Sequence, residues 1–245
     1  MTRDSRDRHI LATSGGVEAT GRGTFDWRFS GMLRYALELS GATAPRICFV
    51  NTASGDNDVG LRAMYGAAAF EGVFASHLAL FTMPNVEDVR AHLLGQDVIW
   101  VGGGSVANLL ALWRLHGVDR AMREAWEAGV VLTGVSAGSL CWHVGGTTDS
   151  FGPELRPITD GLALLPYGNG VHYDSEEQRR PLLHRLVADG TLPLSFATDD
   201  GAGLHYVGTA LVEAVADYPG KSAYRIERDG LGGVTETRLE TRLLD

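Results

Sequence analysis

The chain has 245 residues, 44% hydrophobic and 21% charged, with a formal net charge of −9. A chain of that length and apolar content can bury a large core without cross-links, and the acidic balance, with no basic run, argues against nucleic acid or an anionic membrane as a partner. The amino-terminal stretch MTRDSRDRHILATSGG is charged and lacks a long apolar core, so it does not read as a signal peptide. Cys48 and Cys141, both in apolar surroundings, read as reduced, buried thiols of a cytoplasmic protein.

Short apolar runs alternate with longer amphipathic ones. HILATSGG from His9 predicts a strand ending in a glycine turn, and FSGMLRYALELSGA a helix with apolar residues at Met32, Leu33, Ala36, Leu37 and Leu39. RICFVNTASGD is the next strand, and VGLRAMYGAAAFEG the next helix. After FASHLALF come a helix near NVEDVRAHLLG and the strand DVIWVGGG. The helix SVANLLALWRLHG follows, with Ser105 as its amino-terminal cap and Gly117 just past its end. VDRAMREAWEAG predicts another helix, leading into the strand GVVLTGV. Such alternation predicts an α/β fold: a mostly parallel sheet with helices on both faces, strand carboxyl ends along one edge. From about Pro193 the pattern changes to short strands joined by Gly and Asp turns, which predicts a short-stranded antiparallel extension at the carboxyl end. No repeat, low-complexity stretch or Pro/Ser linker divides the chain, so residues 1–245 are expected to form one domain.

The strand GVVLTGV runs into Gly134-Val135-Ser136-Ala137-Gly138, a G-x-S-x-G spacing. Glycines beside a serine at a strand-to-helix turn keep Cβ atoms out of a crowded backbone and leave amides facing whatever the serine attacks. A nucleophilic serine needs a base, and the base an orienting acid. His143 stands seven residues on, about 10 Å along a helix axis and too far for a direct bond. His172, in LALLPYGNGVHYD, follows an apolar run and a Pro/Gly loop and is the better candidate. For the acid, Asp149 in GGTTDSFG lies between the two, with Asp174, Asp199 and Asp200 as alternatives. The glycine cluster IWVGGGSVANLL fits a loose dinucleotide motif at Gly102, Gly104 and Ala107, but no acidic residue stands at a strand end about twenty residues on. The competing reading uses Gly103 and Ala137 amides as oxyanion donors to a carbonyl attacked by Ser136.

VGGGSVANLL, GVSAGS, GTTDSF, LLPYGNGVHYD and ATDDGAGL occur in an order and spacing that resemble the peptidase E family of serine peptidases. That family includes aspartyl dipeptidases and is related to cyanophycinases. The resemblance implies a fold like class I glutamine amidotransferases, with Ser136 as nucleophile, His172 as base and Asp149 as orienting acid. It implies a dipeptidase acting on short peptide substrates without metal or cofactor; the oligomeric state, homo-oligomer or not, stays open. Aspartyl dipeptidases of the family read the substrate's aspartate partly with an arginine between nucleophile and acid, whereas LCWHVGGTTDS contains none. Arg156 and Arg179, with Arg180, are the nearest candidates, so aspartate specificity is not expected. Two other readings share the motif. One is a catalytically silent amidotransferase-like domain that binds a small ligand or partner. The other is an α/β-hydrolase esterase, which would place its histidine much nearer the carboxyl end.

Overall fold

The structure is a computed structural model and describes residues 7–23 and 26–245. The first part of the chain forms β1 (His9–Thr13), β2 (Val17–Ala19), β3 (Trp27–Phe29), α1 (Gly31–Leu39), β4 (Arg46–Val50), α2 (Asp58–Glu71), β5 (Phe74–Leu78) and α3 (Val89–Leu94). Next come β6 (Val98–Val101), α4 (Val106–His116), α5 (Val118–Glu127), β7 (Val131–Val135) and α6 (Ala137–Leu140). Three short strands follow, β8 (Gly145–Thr148), β9 (Arg156–Ile158) and β10 (Gly168–Gly170), and then α7 (Arg179–Ala188). The chain ends in β11 (Ser195–Thr198), β12 (Ala202–Val207), β13 (Ala210–Ala216), β14 (Ala223–Arg228), β15 (Val234–Arg238) and β16 (Thr241–Leu243).

These strands make an eight-stranded sheet ordered β16-β13-β12-β1-β7-β6-β4-β5, a six-stranded sheet ordered β15-β14-β11-β10-β8-β9, and the β2–β3 hairpin. From β1 to β5 the large sheet is parallel. The α/β fold with a mostly parallel sheet is therefore as expected. The antiparallel extension divides between the sheets: β12 and β13 continue the large one, while β14 and β15 close the small one.

Local chemistry explains the elements. In α5 the buried residues are Val118, Ala121, Met122, Ala125 and Trp126, a single stripe at helical spacing. The Ser105 side chain accepts the Asn108 amide and Gly117 ends α4 in the left-handed region at φ 71, as the cap signals predict. β7 is buried at Val131, Leu132, Thr133 and Gly134, consistent with a strand covered on both faces. One hydrophobic cluster joins residues of both larger sheets, from Ile10 and Leu132 to Ile158, Phe196 and Ala223. Cys48 and Cys141 are both free and buried. No helix of the described residues is long and apolar enough to cross a membrane.

Candidate active site

The register of the large sheet brings four chain segments to one edge. Thr13 pairs with Val135 across β1 and β7, Val101 with Gly134 across β6 and β7, and Thr13 with Gly203 across β1 and β12. The residues just beyond these pairs (Ser14, Ser136, Gly102–Gly104 and Asp200–Gly201) therefore leave the sheet side by side.

Ser136 turns the chain from β7 into α6 with φ 57 and ψ −110. Holding a non-glycine residue in so sparsely populated a conformation costs about 1–3 kcal/mol, which the surroundings must offset. The Ser136 amide donates to the Thr13 carbonyl at 3.1 Å, and the Ser136 carbonyl accepts from Ser139 and Leu140 at 2.9 Å each. Both flanking glycines are required by close backbone approach. A Cβ on Gly134 would lie 2.6 Å from the Gly138 carbonyl oxygen, and one on Gly138 would lie 2.1 Å from that of Val101. The α6 helix ends at Leu140, and the 162–165 loop takes the carbonyls just beyond it: Cys141 and Trp142 accept from Leu162 and Leu165.

Gly103 packs directly against the serine, its virtual Cβ 3.3 Å from the Ser136 Cβ. The Gly102 amide is committed to the Val50 carbonyl at 3.0 Å, whereas the Gly103 and Ala137 amides have no acceptor among the described residues. The glycines at 102–104 thus have a packing explanation that does not involve a dinucleotide: a Cβ on Gly104, at φ 133, would lie 2.4 Å from the Ala53 carbonyl oxygen.

His172 follows β10 and also has positive φ, at 52. Its amide donates to the Ser14 hydroxyl at 3.2 Å, and its Nδ1 lies 2.5 Å from the Asp200 carboxylate. That partner holds the proton on Nδ1 and leaves the Nε2 lone pair available. Asp200 in turn is fixed by its own amide, which donates to the Asp174 carboxylate at 2.8 Å. Asp174 is bonded to the Lys221 ammonium. Burial alone would raise the Asp174 pKa, but Lys221 and the Asp200 amide bring it below its ordinary value.

The carboxylate against His172 is therefore that of Asp200, one of the alternatives, and not the preferred Asp149. Asp149 is exposed at the turn after β8. Its neighbour Ser150 accepts the Ala107 amide at the start of α4, so this turn sits by the glycine loop and not against the imidazole. Asp199, one residue before Asp200, points the other way: its Oδ2 accepts from the Ser222 amide and the Tyr224 hydroxyl. Burial, and then the Asp174 charge, push its pKa up.

The arginine candidates also separate. Arg179 is only 2% exposed, with its guanidinium on Glu176 and on the Thr147 carbonyl. These contacts tie α7 to β8. Arg180 lies over the Tyr173 and Tyr224 rings and pairs with Glu236. Arg156 is exposed on β9, opposite Thr148. His143 is fully buried, its Nδ1 2.9 Å from the Ser139 carbonyl oxygen, and has no part in the cleft.

The model of the family described as Peptidase family S51 matches residues 11–213. Among relatives, an uncharacterized peptidase, YgaJ, of Bacillus subtilis (strain 168) is 42% identical over 193 residues, spanning 79% of this chain and 83% of that protein. A peptidase E of Shewanella denitrificans is 29% identical over 150 residues, 58% of this chain and 63% of that one. The fold is similar to two solved structures. One is a putative peptidase E from Listeria monocytogenes EGD-e, with TM-score 0.60, 18% identity and coverage of 84% of this chain and 97% of that one. The other is a peptidase from an acI-B1 Actinobacterium, with TM-score 0.66, 15% identity and coverage of 97% and 96%.

Proposed function

The chain belongs to peptidase family S51, and from that premise we propose that it is a serine peptidase of dipeptides or short peptides with Ser136, His172 and Asp200 as its triad. The observation that carries this reading is the 2.5 Å contact between His172 Nδ1 and Asp200, on loops pinned to the same strand end as the strained Ser136.

In this mechanism His172 Nε2 takes the Ser136 hydroxyl proton as Oγ attacks the peptide carbonyl carbon. The carbonyl π pair moves onto oxygen, where the Gly103 and Ala137 amides receive it. Asp200 steadies the imidazolium through Nδ1–H. The tetrahedral centre collapses, the C–N bond breaks, and Nε2–H gives its proton to the departing amine. A water molecule, deprotonated by Nε2, then attacks the acyl carbon; the Oγ–acyl bond breaks as Nε2–H returns its proton to Ser136 Oγ, and the acid product leaves.

A fluorophosphonate probe, followed by intact mass and peptide mapping, tests the assignment. Labelling at Ser136 that is lost in His172→Ala is the expected result, together with loss of hydrolysis of a dipeptide panel in Ser136→Ala. Normal turnover in a folded Ser136→Ala would overturn it.

A further inference from the structure

We propose that Ser14, at the carboxyl end of β1, is a positioning residue: its buried hydroxyl holds the His172 backbone in the conformation that lets the imidazole serve Ser136. The inference rests on the triad reading above and adds a residue that touches neither substrate nor reacting atoms.

The Thr13–Ser14 pair collects the backbones of all three triad segments. The Thr13 carbonyl accepts from the Ser136 amide at 3.1 Å, and the Ser14 carbonyl accepts at 2.9 Å from Gly201, next to Asp200. The Ser14 hydroxyl accepts from the His172 amide at 3.2 Å. These two residues therefore set where nucleophile, base and acid stand relative to one another.

Of the three attachments, the third depends on a side chain. Ser14 is 5% exposed, and its Oγ shares a 2.7 Å hydrogen bond with the Thr198 hydroxyl. A hydroxyl carries one donor and two acceptor sites, so Ser14 can receive the His172 amide while bonded to Thr198. Thr198 ends β11, two residues before Asp200. The Ser14 hydroxyl, which also reaches the Thr198 carbonyl at 3.3 Å, thus ties the base's loop to the strand that delivers its acid. The hydroxyl supports His172 in a backbone conformation, φ 52, that residues other than glycine seldom adopt. Removing the hydroxyl leaves the His172 amide without its partner and frees the loop to relax, moving the ring that the proposed mechanism needs beside Ser136.

Three variants test this: Ser14→Ala, Thr198→Val, and Thr198→Ser as the conservative control. In Ser14→Ala, kcat is expected to fall by about 100-fold with KM changed by less than about threefold, since misplacement of a catalytic group acts on the chemical step. Thr198→Val should lose kcat in the same direction, and Thr198→Ser should keep it. The second readout is the downfield proton resonance of His172 Nδ1–H, assigned by its absence in Asp200→Asn and measurable without turnover. It should shift or broaden in Ser14→Ala. A folded Ser14→Ala with a lowered melting temperature but unchanged kcat and resonance would show a merely structural role and overturn the proposal. If Ser14→Ala does not fold, the Thr198→Val and Thr198→Ser pair decides, and equal kcat and resonance in those two overturns it. Absence of peptide hydrolysis and of Ser136 labelling in the unmodified protein would sink the peptidase reading instead, while the resonance would still test the role of Ser14.

Discussion

At each end of β1 a histidine faces a carboxylate. At the carboxyl end His172 meets Asp200; toward the amino end, across from Leu11 and against the His9 ring, His205 meets Glu213 at 3.4 Å. The second set is fully consumed. The Tyr35 hydroxyl donates to Glu213 at 2.5 Å, so it accepts from His205 Nδ1–H at 3.0 Å. His205 Nε2 must then accept from His9 Nδ1–H at 3.0 Å. Arg242 closes the chain on Glu213 and holds that carboxyl down to about 2. Burial, followed by the neighbouring His9, lowers the His205 pKa. At the other end only Nδ1 of His172 is engaged among the described residues, on a backbone with positive φ. His205, by contrast, lies within the regular strand β12. The residue types are nearly the same at the two ends. What differs is that one histidine has a ring nitrogen with no partner among the described residues and stands on a loop of positive φ, while the other has both nitrogens engaged within a strand.

The sharpest way to break this contrast is to remove the acid at the cleft end. Asp200→Asn should lower kcat/KM by about 10³–10⁴-fold through loss of the correct tautomer and of imidazolium stabilisation, whereas Asp149→Asn should change it by less than about tenfold. Steady-state kinetics on one dipeptide decides between them. The reverse order would return the acid's role to Asp149.

The uneven legibility of the site has a physical cause. Ser136 and its two glycines could be read from GVSAGS because spacing and steric demand are local: the Cβ clashes at Gly134 and Gly138 arise within a few residues and one neighbouring strand. The caps of α4 are local too. Asp200 could not be singled out in the same way. It is one of two adjacent aspartates in the turn between β11 and β12, and which of them faces His172 depends on how that turn is fixed to Ser14 and Ser222. That in turn is set by pairing Gly203 with Thr13, 190 residues earlier. The small sheet was still less visible. GGTT, RPI and GNG carry no apolar alternation, and glycine is needed at Gly145 and Gly146 because a Cβ would lie 2.0 Å from the carbonyl oxygens of Ile158 and Asn169. Those contacts exist only once the sheet has formed.

A buried histidine outside both sets gives the next largest effect. Burial lowers the pKa of His143 from 6.5 to about 4. A histidine whose folded pKa is depressed contributes stability that is complete above the unfolded pKa and is lost as pH falls toward the folded one. Between pH 6.5 and about 4, chemical denaturation should therefore record a loss of about 3 kcal/mol from this residue. His143→Asn, which keeps a donor for the Ser139 carbonyl, should flatten that part of the curve. An unchanged pH slope in this variant would show that the acid sensitivity lies elsewhere, with His9 and His205 the next groups lowered by burial.

At the amino end of β1, Tyr35→Phe removes the hydroxyl that joins His205 to Glu213. It should cost about 1 kcal/mol of stability by leaving His205 Nδ1 only its longer, 3.4 Å contact with Glu213, and it should leave kcat unchanged. A fall in kcat as large as that of Asp200→Asn would mean that the two ends are coupled through β1, and the contrast between them would fail.

The smallest effect concerns selectivity. A buried substrate carboxylate requires a positioned cation, because an unpaired one costs several kcal/mol. The cations on or bonded to the segment that follows His172 are already occupied: Lys221 by Asp174, Arg179 by Glu176 and a backbone carbonyl, and Arg180 by Glu236 and two rings. Arg156 is exposed to solvent on β9, where its charge is screened. The loops beside His172 instead carry the carboxylates of Asp174 and Asp200. In a dipeptide library varied at the amino-terminal residue, kcat/KM for aspartate should therefore stay within about tenfold of that for neutral residues, against the 100-fold or more of a site built to read the charge. Arg156→Ala should leave that ratio where it was. A strong aspartate preference that collapses in Arg156→Ala would mean that this arginine folds over the cleft when substrate is present, and that the acidic rim is no barrier to an acidic substrate.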